Sequence, residues 1–244
     1  MSEYGNYISD VLASEYNEIS LLKDSEQTKI VLFAHKENEK KIVYIESSNR
    51  NDHIFRALLN KSSPFLPQVL EVCSCEEKVV ILESFVEGVS LEEKIKDELP
   101  DTKTAIKYVL NICEALEFLH SLNIIHRDIK PQNIIIDKGD QAVLIDLQAA
   151  RNITDKKKTD TINLGTVGYA APEQYGLHQS IPPTDIYALG VLLNELLTGT
   201  HPSINMPSGK LGKIIKKCTE TQIYKRYQTV TSLVKDLKKY NRFH

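Results

Sequence analysis

Eight consecutive residues, 126–133, contain an Asp, a Lys and an Asn in an order that suits phosphoryl transfer. Asp128 and Asn133 are five residues apart, on what we expect to be a loop. An Asp there can orient a hydroxyl nucleophile and accept its proton, and the Asn can hold a magnesium ion. Lys130, between them, can neutralise charge on the phosphoryl group during transfer. The stretch therefore predicts a phosphoryl-transfer site with Asp128, Lys130 and Asn133 as its catalytic residues.

The same stretch, His-Arg-Asp-Ile-Lys-Pro-Gln-Asn, resembles the catalytic loop of eukaryotic-type (Hanks-type) protein kinases, H-R-D-x-K-x-x-N. The resemblance implies an α+β bilobal fold, with a small β-rich N-lobe and a larger, mostly α-helical C-lobe. It also implies a serine/threonine kinase that uses ATP with Mg²⁺, or with Mn²⁺ in its place, to phosphorylate a Ser or Thr hydroxyl of a protein substrate. His126 and Arg127 would mainly organise the loop.

A predicted hairpin follows the loop and leads to a second acidic residue. Two β-branched runs, 134–136 and 143–145, are separated by the turn residues 137–140. Asp146 leaves the second strand thirteen residues after Asn133 and resembles the metal-binding Asp of the D-F-G motif. The resemblance makes Asn133 and Asp146 the two metal ligands. Gln148 replaces the Gly of that motif, and Gly usually serves where the backbone needs unusual torsion angles.

Three later landmarks occur in the order that the family shows. Residues 165–173 resemble the end of the activation segment, and Asp185 resembles the Asp that begins a buried helix and anchors the catalytic loop. Arg226 resembles the late Arg that pairs with the Glu of the A-P-E motif, here Glu173. A buried carboxylate–guanidinium pair stabilises a fold and takes no part in chemistry, so we assign structural roles to these landmarks.

The N-terminal third departs from the family's pattern. The runs 30–33 and 42–45 predict the second and third strands, with a polar turn between them. Residues 23–29 lie where a glycine-rich loop would bind the phosphates of ATP, yet they contain no glycine. This predicts an atypical nucleotide-binding region.

The Lys and Glu that position the phosphates in the family are also missing in their standard form. The third strand ends in Glu46 where a V-A-I-K pattern has its Lys, and the usual place of the helix Glu falls on His53 or Ile54. Lys29, near the third glycine position of the loop, could replace the missing Lys, as in the with-no-lysine kinases, with Glu46 or Asp52 beside it. The alternative is a solvated Lys at the edge of a strand.

The lobe boundary is predicted where the buried run 79–82 continues into polar residues. Residues 1–82 would form the N-lobe, 83–88 the hinge, and 89–244 the C-lobe with the catalytic loop and the activation segment. Apolar residues recur at helical spacing through 102–122, which predicts a long core helix. The remaining nucleotide contacts are implied by the resemblance alone: Val31, Leu82 as gatekeeper, Glu83 and Phe85 through their backbone, and Ile135 beneath the adenine.

Composition limits the class of protein. With 244 residues and 41% hydrophobic content, the chain can bury one large core or two lobes. A net charge of −3 argues against nucleic acid as a partner. The first ten residues lack the basic start and apolar core of a signal peptide, and no apolar run is long enough for a membrane span. Four scattered cysteines fit a reduced, cytoplasmic protein.

Charge is distributed unevenly along the chain. Residues 210–244 hold ten Lys or Arg against two acidic residues. This excess could form a docking surface for anionic partners or a membrane-proximal face. A solvated helix face is the simpler interpretation, because the lysines alternate with apolar residues at helical spacing.

The polar, lysine-rich segment 152–164 is the predicted regulatory element, and it carries Thr154, Thr159 and Thr161. Autophosphorylation at one of these residues could pair the phosphate with Arg127 and order the segment. The alternative is a surface loop without modification.

Two classes of function follow from these patterns. The complete set of catalytic-loop and metal-binding residues favours an active serine/threonine kinase. The glycine-free loop, Glu46 and Gln148 favour a pseudokinase, which would keep the fold and act as a nucleotide-sensing or protein-docking module.

Overall fold

The computed structural model describes residues 3–48, 51–75, 78–154, 166–175 and 179–241. The chain divides into two compact units, Met1–Val86 and Glu87–His244, which we call unit 1 and unit 2. The division falls within residues 83–88, the predicted hinge. Unit 1 is built on a β-sheet and unit 2 is mostly helical, so the predicted α+β fold with two lobes is confirmed.

Unit 1 contains five strands and two helices among its described residues. They are α1 (Glu3–Glu15), β1 (Tyr16–Asp24), β2 (Thr28–His35), β3 (Lys41–Ser47), α2 (Asp52–Leu58), β4 (Val69–Cys75) and β5 (Lys78–Ser84). The strands form one antiparallel sheet in the order β1-β2-β3-β5-β4. The predicted runs 30–33, 42–45 and 79–82 therefore lie in strands, and each strand extends beyond its run.

Helix α1 covers one face of this sheet. Ile8 and Leu12 of the helix are buried in one cluster with Ile42 of β3, Cys73 of β4 and Val80 of β5. Since side chains alternate along a strand, residues in register with these three point to the same face. We call this side the α1 face.

Helix α2 lies on the opposite side of the sheet, which we call the α2 face. Arg56 donates to the Ser74 hydroxyl of β4, and this hydroxyl donates to Asp52, at 2.9 Å in both cases. Ser74 follows Cys73 directly, so its side chain points away from α1. Ile54 of α2 is fully buried, which fixes the helix on unit 1.

Unit 2 contains five helices and five short strands among the described residues. They are β6 (Gly88–Ser90), α3 (Leu91–Asp97), α4 (Thr102–Ser121), β7 (Ile124–Ile125), β8 (Ile134–Asp137), β9 (Ala142–Leu144), β10 (Arg151–Asn152), α5 (Pro182–Thr198), α6 (Gly209–Cys218) and α7 (Val230–Asn241). The strands form two small sheets, ordered β6-β8-β9 and β10-β7.

Helix α4 is the predicted core helix, and its observed end differs from the prediction by one residue. Asp101 is the N-cap of α4. Its carboxylate accepts the backbone N–H of Thr104 at 2.6 Å and so satisfies a donor that has no partner within the first turn of the helix. Its apolar side is fully buried, with Ile106, Val109 and Leu116 at 0% exposure. The helix contacts α5, α7 and β9, and so forms the centre of unit 2.

The predicted hairpin is present as β8 and β9, with Ile134 opposite Leu144. Strand β6 pairs with the other edge of β8, and the backbones of the two strands lie close together at Gly88. A Cβ atom at this position would lie 2.2 Å from the Ile136 carbonyl oxygen, so only glycine fits without moving the backbone.

Helices α6 and α7 hold the lysine excess of the C-terminal region. Their apolar residues are buried and their lysines are exposed, as the helical spacing predicts. Within the described ranges, no helix combines the length and the apolar character that crossing a membrane requires.

Candidate active site

The predicted catalytic loop, between β7 and β8, is anchored by Asp185 of α5. The Asp185 carboxylate accepts the backbone N–H groups of His126 and Arg127 at 3.0 and 2.8 Å, and it lies 2.8 Å from the ring of His120. Burial alone would raise the pKa of Asp185, but the hydrogen bond and charge of His120 and the loop hold it below its ordinary value. Arg127 has a φ of 73°, a costly conformation for a residue with a side chain, and these bonds hold it there. The predicted anchor is confirmed.

The predicted pair of Glu173 and Arg226 is also present. Arg226 donates to the two carboxylate oxygens of Glu173 at 2.7 and 2.9 Å, and each residue is 2% exposed. The Thr184 hydroxyl donates to the same carboxylate at 2.8 Å, and the Pro183 carbonyl accepts from Arg226 at 3.1 Å. Because their hydrogen bonds are satisfied, the buried charges stabilise the segment that follows the site.

Asp128, Lys130 and Asn133 form one hydrogen-bonded network. The Lys130 ammonium lies 2.7 Å from the Asp128 carboxylate. The Asn133 amide donates to that carboxylate at 2.9 Å and to the Asp128 carbonyl at 2.8 Å. Thr166 closes the network, because its hydroxyl accepts from Lys130 at 2.7 Å and donates to Asp128 at 2.8 Å. The structure thus brings the three predicted catalytic residues together around one carboxylate.

This network keeps the Asp128 carboxylate charged. Burial would raise its pKa, but the hydrogen bond and charge of Lys130, with the hydrogen bonds of Thr166 and Asn133, outweigh burial and hold the pKa below its ordinary value. An ionised Asp128 at neutral pH can accept a proton from a hydroxyl nucleophile. His126 is fully buried, and burial lowers its pKa, so its ring is neutral and orients the loop.

Thr166 was not predicted from the sequence as a site residue. It lies 38 residues beyond Asp128, within a stretch whose sequence resembles the end of an activation segment. The sequence pointed to Thr166 only through its place in that motif. Its contact with the catalytic loop depends on the fold, which the motif does not reveal.

Asn133 and Asp146 are brought together by the β8–β9 hairpin. The Ile145 N–H donates to the Asn133 carbonyl at 2.9 Å, so the residue before β8 lies beside the residues after β9. The Asn133 amide nitrogen bonds Asp128, which leaves its side-chain oxygen to hold a metal ion. Asp146 supplies a carboxylate, of which one oxygen accepts the Gln148 N–H at 3.0 Å. Two oxygen ligands of this kind fit Mg²⁺, which takes its other ligands from water and phosphate.

The unusual backbone torsion in this segment is at Asp146, which has a φ of 67°. Gln148 is not among the described residues with positive φ. Asp tolerates this region better than most residues, because its short side chain can bond nearby backbone, here the N–H of Gln148. Gln in place of Gly at position 148 therefore causes no backbone strain.

On the α1 face of unit 1, Glu46 pairs with Lys78. Its carboxylate lies 2.5 Å from the Lys78 ammonium and accepts the Tyr44 hydroxyl at 3.1 Å. The hydrogen bond from Lys78 is the main cause of a lowered pKa for Glu46. Lys29 lies opposite Glu46 in the β2–β3 register, and it lowers the pKa of Glu46 through its charge, without a hydrogen bond. Asp52, the other predicted neighbour of Lys29, belongs to α2 on the opposite side.

The placement of Glu46 argues against it as the β3 residue that replaces the family's Lys, and that interpretation stays a prediction. Strand β3 continues to Ser47, which pairs with Val79, and Val79 pairs with Ser74, the residue that α2 contacts. Ser47 is 1% exposed and lies on the α2 face, whereas Glu46 lies on the α1 face. A shift of one residue moves every side chain of a strand to the other face.

The same alternation places three predicted nucleotide contacts on the α1 face. Val31 and Leu82 both lie opposite Tyr44, and Lys29 lies opposite Glu46. Leu82 packs on the cluster under α1. In the family the Lys of the third strand pairs with the Glu of the helix, which puts the phosphate-positioning pair on the α2 face. Contacts of Lys29, Val31 and Leu82 with a nucleotide stay predictions, and this placement argues against them.

The part of unit 1 that the structure describes contains no Lys–Glu pair between β3 and α2. The β3 residues that point to the α2 face are Lys41, Val43, Ile45 and Ser47, and α2 buries Ile54. Of these side chains only Lys41 is charged, and its ammonium lies 5.5 Å from the centre of the Phe85 ring.

The connection between β1 and β2 also differs from a phosphate-binding loop. It spans residues 25–27, and it closes on itself. The Ser25 N–H donates to the Thr28 carbonyl at 3.0 Å, and the Thr28 N–H donates to the Ser25 hydroxyl at 3.1 Å. These two amides are therefore engaged within the turn, whereas a glycine-rich loop points its amides at phosphate oxygens.

Comparison with known proteins decides the family. The protein kinase domain family matches residues 16–241. The chain belongs to the protein kinase family. The predicted fold and the predicted kinase class are confirmed, and kinase domains in general use ATP with a divalent metal ion.

Individual relatives of this kinase domain come from bacteria and from animals. A probable serine/threonine-protein kinase PknB of Lactococcus lactis is 33% identical over 60% of this chain and 24% of its own length. A probable serine/threonine-protein kinase of Clostridium perfringens is 30% identical over 75% of this chain and 30% of its own. Human ribosomal protein S6 kinase alpha-3 is 33% identical over 59% of this chain and 20% of its own. The matches thus span about a third or less of these relatives.

Three further predicted contacts of the kinase domain lie near the ends of strands. Glu83 is buried and lies opposite Val43 on the α2 face. Phe85 is half-buried, and the Lys41 ammonium lies 5.5 Å from the centre of its ring. Ile135 is half-buried on β8. Their contacts with adenine stay predictions.

The regulatory segment of the kinase domain is described only in part. Thr154 is exposed, and its N–H and hydroxyl both donate to the Asn152 side chain, at 2.9 and 2.7 Å. Thr159 and Thr161 lie outside the described residues. Arg127, the predicted partner of a phosphothreonine, is 6% exposed and donates to the Ser180 hydroxyl at 3.1 Å. Autophosphorylation and this pairing stay predictions.

Proposed function

We propose that this kinase domain transfers the γ-phosphate of ATP to a Ser or Thr hydroxyl of a protein substrate. The observation that carries the proposal is the network of Asp128, Lys130, Asn133 and Thr166, in which every bond is 2.7–2.9 Å long. Phosphoryl transfer uses a carboxylate that accepts a proton and a cation that neutralises developing charge, and this network contains both.

Asp128 is the proton acceptor in this proposal. The Thr166 hydroxyl and the Asn133 amide fix the orientation of its carboxylate, and its low pKa keeps it charged. A fixed carboxylate can orient the attacking hydroxyl and accept its proton as the bond to phosphorus forms.

Lys130 and the metal ligands stabilise charge in this proposal. The Lys130 ammonium lies beside Asp128, where it can neutralise charge that develops on the transferred group. Asn133 and Asp146 would hold Mg²⁺, which when bound would neutralise charge on the phosphates. The names of the bacterial relatives, which are serine/threonine kinases, support Ser or Thr as the acceptor.

The proposal is tested by intact-mass measurement of dephosphorylated protein after incubation with Mg·ATP, with a basic protein added as a general acceptor. We expect a mass gain of phosphate on the chain or the acceptor, and none with Asp128→Asn. Asp137→Asn, in the hairpin turn, is a matched control that removes a carboxylate outside the network. Absence of transfer by the unmodified chain, or equal transfer by Asp128→Asn, would exclude the proposal.

A second function is favoured by unit 1. Among the described residues, β3 and α2 form no Lys–Glu pair and the β1–β2 turn is closed on itself, so the groups with which kinases position the phosphates are not seen there. This favours a pseudokinase that docks partners. Titration with a fluorescent ATP analogue separates the two functions. Binding that is abolished by Asp146→Asn in the presence of Mg²⁺ supports catalysis, and absence of binding supports the pseudokinase.

A further inference from the structure

Helices α6 and α7 present a surface of lysines that the kinase chemistry does not use. We call it the lysine face, and it consists of Lys213, Lys216, Lys217, Lys235, Lys238 and Lys239, all of them exposed. On α6 the lysines recur at intervals of three and one, so they lie on one side of the helix. Leu211, Ile215 and Cys218 are buried on the other side. On α7 the lysines likewise lie opposite Leu233 and Leu237.

None of the six lysines has an ion pair within the part of the chain that the structure describes. This differs from lysines elsewhere in unit 2. Lys94 and Lys107 both pair with Asp140, and Lys138 pairs with Glu87. The charges of the lysine face are therefore exposed to solvent and are not neutralised by an ion pair in the described part of the chain.

Tyr227 joins the two helices of the lysine face. The Lys217 ammonium lies 4.0 Å from the centre of the Tyr227 ring, and the Tyr227 hydroxyl donates to Asp236 of α7 at 2.7 Å. Lys217 is thus held towards α7, and the acidic residue of α7 is occupied by a hydroxyl. The lysine-bearing helices are therefore linked through Tyr227.

Acidic residues lie at the border of this surface and do not divide it. Glu117 of α4 accepts the Thr231 hydroxyl at 2.7 Å, beside the first turn of α7. Glu220 is half-buried in the turn after α6, where its backbone carbonyl accepts from Arg226. Neither of these acidic side chains forms an ion pair with a lysine of the lysine face in the described part of the chain.

The residue type indicates the kind of partner. Every exposed cation of the described part of α6 and α7 is Lys, and Arg226, the Arg that the structure describes between these helices, is buried against Glu173. Arg presents a planar fork that recognises single phosphates and base edges, whereas Lys is a hydrated point charge on a flexible stem. A set of lysines without arginines suits diffuse attraction to a surface with many anionic groups. Tyr224, 73% exposed between the helices, is a residue type that favours the membrane interface.

We propose that the lysine face binds the surface of an anionic membrane, with α6 and α7 lying against lipid headgroups and without insertion. This binding is independent of phosphoryl transfer, because the lysine face contains none of the residues of the catalytic network. Its strength follows from screened charge, so it falls steeply with salt.

The test is sedimentation of the protein with vesicles of phosphatidylcholine alone and of phosphatidylcholine mixed with phosphatidylglycerol, at low and high salt. We expect binding to the mixed vesicles only, and its loss at high salt. Replacing Lys213, Lys216 and Lys239 with Gln should weaken binding about a hundredfold, since each Lys near an anionic surface contributes about a fivefold factor. The control replaces Lys23, Lys40 and Lys103 with Gln, which changes the net charge equally and should alter binding less than about twofold.

A thermal unfolding midpoint by circular dichroism that equals that of the unmodified chain shows that the Lys213, Lys216 and Lys239 variant is folded. Absence of binding to mixed vesicles would overturn the proposal, and so would equal losses in the two triple variants. Tighter binding to double-stranded DNA than to vesicles, at equal phosphate concentration, would overturn it in favour of nucleic acid.

Discussion

Unit 2 brings together the residues that we propose act on the transferred phosphate, whereas the described part of unit 1 does not show the groups expected to position the nucleotide. In unit 2, Asp128, Lys130, Asn133 and Thr166 are linked by short bonds, and Asp185 fixes their loop. In the described part of unit 1, β3 and α2 form no Lys–Glu pair, and the β1–β2 turn is closed on itself. The comparison teaches that evidence for chemistry and evidence for nucleotide binding come from separate regions, and that each needs its own test.

The largest expected effect tests whether unit 2 depends on its buried ion pair. Arg226→Ala leaves the Glu173 carboxylate buried without its partner, which costs about 3–5 kcal/mol of the free energy of unfolding. Urea denaturation measures this loss. Lys138→Ala, at an exposed pair with Glu87, is the control and should cost about 0.5 kcal/mol or less. A loss at Arg226 no larger than that of the control would show that the pair does not hold unit 2 together.

Thr166→Val tests whether the network acts as a unit in catalysis. The methyl group removes the bonds to Lys130 and Asp128 while keeping the shape, so we expect kcat to fall by about 10–100-fold with little change in stability. Thr166→Ser keeps the hydroxyl and should restore most of the activity. If Val and Ser behave alike in steady-state kinetics, the hydroxyl has no role in positioning Asp128.

Asp140 offers a pH test within unit 2. Hydrogen bonds from Lys107 and then from Tyr108 lower the pKa of Asp140 to about 2, against an ordinary value of 3.8. The folded state therefore gains stability from the charged form at neutral pH, and the gain is lost as pH falls from about 4 to about 2. Asp140→Asn should be slightly less stable at pH 7, and the difference should vanish towards pH 2. Urea midpoints across this range measure it, and a difference independent of pH would contradict the assignment.

Lys29→Gln is expected to have the smallest effect, and it tests the register of unit 1. Because Lys29 lies on the α1 face, nucleotide affinity should change by less than about twofold. Lys23→Gln, on the neighbouring strand, is the matched control. A tenfold loss of affinity specific to Lys29 would show that this residue does contact the phosphates. Unit 1 would then supply a nucleotide-binding group in addition to the predicted catalytic residues of unit 2.

Most of unit 2 could be predicted from the sequence, because its landmarks combine a motif with a fixed spacing. The catalytic loop, the β8–β9 hairpin, the Asp185 anchor and the Glu173–Arg226 pair all lie as predicted. Thr166 was missed, since its role depends on a contact across 38 residues of chain that spacing does not reveal.

Unit 1 was harder to predict, because its strands lack a motif that fixes the register. Strands β2, β3 and β5 were predicted, whereas β1 and β4 were not. Apolar residues occur on both sides of β3, so alternation could not show which side faces α2 or that Glu46 lies on the α1 face. Helix α1, which defines the other face, was not predicted at all from the polar start of the chain.

The anchor of the catalytic loop has a consequence for how the protein is made. Asp185 follows His126 by 59 residues, and Arg226 follows Glu173 by 53. A ribosome adds residues from the N-terminus onwards, so the catalytic loop leaves the exit tunnel long before the groups that hold it. The catalytic loop can therefore be anchored only after residue 185 has been translated, and the Glu173–Arg226 pair can form only after residue 226. A nascent chain that stalls before residue 226 exposes an unfinished C-lobe to chaperones and proteases.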